Sequence, residues 1–147
     1  MTQLDANNQN PAYLCGRLMG VLEGLQRAAL GDVGANVTSR FFGTASAAPA
    51  SVFGNLLRSA QHHLDKLRKE KPGTYQALGR RLEEVMSGLP AFPRALTLEQ
   101  QGLFSLGYFH QRAADRAAAI AHKQAGETDA GESKETDINE EGGKPDE

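Results

Sequence analysis

Apolar positions along the chain recur at spacings of three and four, and nowhere alternate over a useful length, so the pattern predicts helices and no sheet. Asn10-Pro11 opens the first helix, because Asn caps and Pro at the first helical position loses no needed hydrogen bond. The helix runs to about Leu30, with Gly31 as its stop and Leu14, Leu18, Val21, Leu22, Leu25 and Ala29 as its buried stripe. A short second helix follows, capped by Asp32 and running through Phe42, with Val33, Val37 and Phe41 on one side, Arg40 beside them, and Gly43 as its end.

Pro49 leads into a third helix that stops at Lys71, since Pro72 cannot continue it. Val52, Phe53, Leu56, Leu57, Ala60, Leu64 and Leu67 form its apolar stripe. The fourth begins near Pro72 and turns Tyr75, Leu78, Leu82, Val85, Met86 and Leu89 inward before Gly88 and Pro90 close it. A linker from Pro90 to Leu96 follows, and its Phe92 tucks back onto the core. Thr97 followed by Gln100 matches a capping box and starts a fifth helix, which reaches about Lys123. Its main stripe is Leu103, Leu106, Phe109, Ala113, Ala117 and Ile120, while Phe104 and Tyr108 project the other way with Arg112 alongside. A helix apolar on two sides is expected at the centre of a bundle.

The expected fold class is therefore all-α, a compact bundle of about five helices over residues 1–123. The net charge of −2 conceals a division. Residues 1–123 hold 14 Lys/Arg against 9 Asp/Glu, and residues 124–147 hold 2 against 9. The last segment has one large apolar residue, Ile138, too little to offset the entropy of ordering, and is expected to be a disordered acidic tail. It serves solubility or, alternatively, competes with nucleic acid for the basic surface of the bundle. Cys15 is the lone cysteine, which excludes an internal disulfide and points to a reducing compartment, the cytoplasm. No run is long and apolar enough for a membrane span, and no secretory signal pattern is present.

Two faces stand out. On the third helix Arg58, His62, Lys66 and Lys69 fall opposite the apolar stripe, with Arg68 and Lys71 on the flanks and Asp65 as the only acid among them. Such a ridge faces solvent or a polyanion. Asp65 and Lys69 are also spaced for a helical ion pair. On the first helix Gly16, Gly20 and Gly24 line up on the side away from the stripe, where a row of glycines admits another backbone. That face is a candidate docking surface for a neighbouring subunit or a phosphate backbone. Tyr108 is a further candidate for partner contact or base stacking, with Arg112, and also Arg40, placed to reach phosphate.

Catalytic and cofactor signatures are missing. There is no H-E-x-x-H, C-x-x-C, Walker loop, G-x-G-x-x-G or G-x-S-x-G. His62, His63, His110 and His122 are scattered, with His62 and His63 directed to different sides of their helix, so no metal site and no cofactor is expected. The chain reads as a binding or scaffolding protein and not as an enzyme.

Four segments in order, NPAYLCGRL at 10–18, ALGDV at 29–33, AQHHLDKLRKEKPG at 60–73 and LFSLGYFHQRAA at 103–114, resemble the C-terminal region of the large subunit of the type I-C CRISPR surveillance complex, Cascade. In that family this region is also made separately, from an internal start codon, as the small subunit, and a chain opening just before NPAYLCGRL resembles that product. The resemblance implies a non-catalytic helical subunit, present in several copies beside the large and backbone subunits. It would support the guide RNA–target DNA hybrid and the displaced non-target strand. The acidic tail is not part of the resemblance. The competing expectation is a protein-interaction module that bridges subunits through the glycine face and Phe104/Tyr108 without touching nucleic acid.

Overall fold

The computed structural model describes residues 3–141 apart from residue 33, with side chains described through residue 125. Five helices follow in order: α1 Pro11–Leu30, α2 Val37–Ala47, α3 Pro49–Glu70, α4 Pro72–Ser87 and α5 Leu98–Glu141. The expected all-α bundle is what forms, and the helix ends obey the local chemistry. Asn10 accepts from the Ala12 N–H at 2.9 Å with Pro11 behind it, and Gly31, at φ 77°, donates its N–H to the Arg27 carbonyl at 2.8 Å. At the start of α5 the capping box is reciprocal: Thr97 N–H donates to Gln100 Oε1 at 2.8 Å and Gln100 N–H to Thr97 Oγ1 at 3.2 Å.

The second helix departs from expectation at both ends. Asn36, not Asp32, caps it, accepting from the Ser39 N–H at 2.8 Å. Asp32 instead sits 3.4 Å from Arg27 in an exposed ion pair. Gly43 does not stop the helix, which runs on to Ala47 because the next turn buries Ala45 and Ser46. Val33 lies outside the described residues.

The helix at the centre is α1, not α5. From Ala12 to Glu23 every residue of α1 is buried. Its apolar stripe packs on α2, α3 and α4, where Leu14, Leu18 and Leu25 each contribute about 1.5–3 kcal/mol by leaving water. The opposite side, with Gly16 and Gly20, is covered by α5. A Cβ at Gly16 would run into the Phe104 carbonyl, and one at Gly107 into the Tyr13 carbonyl, so the two backbones meet without side chains between them. The linker after α4 is tied down by Ala50 N–H to Pro93 O at 3.0 Å and Leu96 N–H to Ala47 O at 2.9 Å, and Phe92 stacks on Phe53 with centroids 5.2 Å apart, as expected.

The chain divides into two compact units at residue 114. The first is the bundle. The second continues α5 as helix to Glu141, past the expected end near Lys123, and takes in the acidic segment. Its described side chains from 116 to 125 are all exposed, Ile120 among them.

Candidate nucleic-acid interface

Burial sorts the expected site residues into two groups. Arg58, His62, Lys66, Arg68, Lys69 and Lys71 are all exposed on or at the end of α3, while Phe53, Leu56, Ala60, Leu64 and Leu67 of the same helix are buried. Arg58, His62 and Lys66 repeat every four residues, about 6 Å apart along the axis. Among the described residues, no carboxylate lies within ion-pair distance of these Arg and Lys side chains or of His62. Asp65 accepts from Gln61 Nε2 at 3.3 Å and makes no ion pair with Lys69. Lys71 donates from Nζ to the Ala28 carbonyl at 3.2 Å, which pins the α3–α4 junction to α1 and takes one of its three donors. The ridge is a row of uncompensated positive charge on a rigid element.

Arg40 joins this face from α2. It is exposed, with its guanidinium 5.9 Å from the Phe41 ring centroid. Together with His62 and His63 it borders a pocket of about 350 Å³ between α1, α2 and α3, floored by Leu22, Leu56 and Ala60 and walled by Val37 and Phe41. Both histidines contribute to its lining, His62 from an exposed position and His63 from a half-buried one. His63 is half-buried, and burial, then the charges of His62 and Lys66, hold its pKa below the usual imidazole value.

Arg112, Gly16 and Gly20 do not belong to any outer surface. Arg112 is buried in an ion pair with Glu23 of α1, whose carboxylate also accepts from Tyr108 Oη at 2.9 Å and from Asn36 Nδ2 at 3.4 Å. One buried acid thus ties together α1, the cap of α2, and α5. Tyr108 is half-buried, with its ring edge against Phe42 at 5.3 Å, which turns it from a stacking platform into a packing residue. Burial first, and then the bond to Glu23, push its phenol above the ordinary tyrosine pKa. Gly16 and Gly20 do receive another backbone, as expected, but it is the chain's own α5. A Cβ on Gly20 would stand 3.1 Å from Gln111 Cβ. Gly24 is half-buried on α1.

Sequence reasoning passed over two sets of residues. Arg17, 2% exposed, donates to Gln111 Oε1 at 2.8 Å and pairs with Glu84 at 3.2 Å. Leu106 and Phe109, expected inward, are 48% and 59% exposed, because Phe104, Gly107 and Gln111 form the face of α5 that meets α1. The small size of Gly107 on that face was the signal that distinguishes the two stripes.

The described residues hold no cluster of three or more His, Cys, Asp or Glu able to bind a metal. They include no helix long and apolar enough to cross a membrane. A family model described as CRISPR-associated protein (Cas_Csd1) matches residues 1–115. The chain belongs to the Cas_Csd1 family. No curated protein matches it. The Cas_Csd1 match spans the whole bundle, including the α3 ridge and the pocket beside it, and ends before the acidic segment.

Proposed function

We propose that this Cas_Csd1 chain is a non-catalytic, cytoplasmic small subunit of a type I-C Cascade complex. It holds nucleic acid by sequence-independent contacts to the phosphate backbone. The observation that carries this reading is the α3 ridge, whose cations are exposed and unpaired with carboxylates among the described residues. Such a surface costs nothing to desolvate from internal partners and recovers its free energy by releasing counterions from a polyanion. The polyanions in this reading are the guide RNA–target DNA hybrid and the displaced strand, as the resemblance to the type I-C large subunit implies; membership of a CRISPR-associated family supports it.

One copy that touches about three phosphates of a single strand has a salt slope of about −2, so a fourfold rise in salt costs about sixteenfold in affinity. Isolated binding is weak, and side-by-side copies raise the effective concentration of sites into a continuous track. Assembly with the large and backbone subunits then needs a protein-facing surface. Exposed Leu106 and Phe109 of α5 favour that face for subunit contact, in place of Gly16 and Gly20, which α5 covers.

Residue-mapped crosslinking of the assembled complex to labelled target and non-target strands tests the reading. Adducts should concentrate between Arg58 and Lys71. Adducts confined to other subunits would overturn it.

A further inference from the structure

The pocket beside the ridge has a composition that a backbone track does not need. Its lining includes the apolar Leu22, Leu56 and Ala60, and Phe41 beside them. Its mouth carries Arg40 and His62, and His62 belongs to the ridge as well. At about 350 Å³ it lies within the range of small-ligand sites. A free phosphate would leave the apolar floor uncovered, and an aliphatic chain would leave Arg40 and the His62 imidazole unused. The ligand that satisfies both is a flat, weakly polar ring joined to an anion.

We propose that this pocket captures one unpaired nucleobase of a strand lying along the α3 ridge. The base packs against Phe41, and the flanking phosphates lie on Arg40 and His62. This deepens the backbone-binding reading and rests on it. Stacking on an aromatic face tolerates every base, so the pocket adds affinity for single strands without imposing a sequence. It also gives a reason for the α2 geometry. Gln26 of α1 accepts from the Val37 N–H at 2.8 Å, and Asn36 links the α2 cap to Glu23 of α1, so the helix carrying Arg40 and Phe41 is anchored to α1 beside the pocket. An extruded base thus meets a preformed slot. A paired base, locked in its stack, does not enter.

The test is fluorescence anisotropy of the full chain at low salt with two labelled single strands of equal length, a thymidine oligomer and an abasic oligomer with the same phosphates. The thymidine strand should bind at least about fivefold more tightly. Phe41→Ala should bring that ratio close to one while abasic binding stays at its wild-type level. Ser59→Trp, a bulky replacement at an exposed position on the pocket lining, should do the same without touching the core, and decides the matter if Phe41→Ala perturbs the fold. Lys66→Glu with Lys69→Glu should weaken both strands by a common factor and preserve the ratio. Equal wild-type affinity for the two strands overturns the base pocket and leaves the backbone reading standing. Failure of the wild type to bind either strand overturns both.

Discussion

Gly16 of α1 and Gly107 of α5 lie in one helix crossing, each facing the other helix's main chain: Gly16 meets the Phe104 carbonyl, Gly107 the Tyr13 carbonyl. Neither backbone has a flexible side-chain end to give way. Gly16→Ala or Gly107→Ala should therefore cost about 3 kcal/mol or more, read as a lower urea midpoint. Ala at exposed Gly54 of α3, where an added Cβ meets nothing, should instead stabilise slightly.

The buried Glu23 carboxylate serves Arg112, Tyr108 and Asn36 at once. Glu23→Gln should destabilise the bundle by about 3 kcal/mol, since the charge that three donors share is lost in a site with little water. Urea denaturation followed by circular dichroism measures it. Because α2 hangs from this group, the variant should also reduce any preference for base-bearing over abasic strands.

How much of this was legible in the sequence depends on whether the deciding signal was local. Asn10-Pro11, Gly31 and the Thr97/Gln100 pair are local devices and formed where expected. The α3 stripe and ridge were likewise readable, because one strongly amphipathic helix fixes its own inside and outside. The orientation of α5 was not. It carries two apolar stripes, and the choice between them was made by Gly107 meeting Gly16, a relationship across 91 positions that periodicity does not encode. The same crossing buries Arg112 against Glu23 and leaves Tyr108 half-buried against Phe42, away from the nucleic-acid face. Glu23 was invisible for a related reason: an isolated acid on a helix reads as solvated until its three donors are brought to it from elsewhere in the fold.

Cys15 is buried at the centre of α1, and burial pushes its thiol pKa up to about 12. Near neutral pH the native chain should resist maleimide or disulfide-exchange reagents, and labelling should proceed only as fast as the bundle opens. Mass spectrometry of the chain with and without urea checks this. Rapid labelling without urea would contradict the packing of α1.

His63 favours its neutral form in the folded state, so the unfolded chain binds a proton more readily. Its contribution to stability is complete above about pH 6.5 and is lost as the pH falls toward the depressed folded value. His62 and Lys66 on α3 oppose its protonation in the same direction as burial does. Urea midpoints should fall between about pH 7 and about pH 5.5, and His63→Gln should flatten that fall.

The central claim is that the outer face of α3 touches nucleic acid. Target-DNA binding by the reconstituted complex carrying Lys66→Glu and Lys69→Glu tests it most directly, with circular dichroism of the variant to verify its helix content. The account predicts at least about tenfold weaker binding at physiological salt and a shallower salt slope, with the helices intact. Unchanged affinity and an unchanged slope would contradict it.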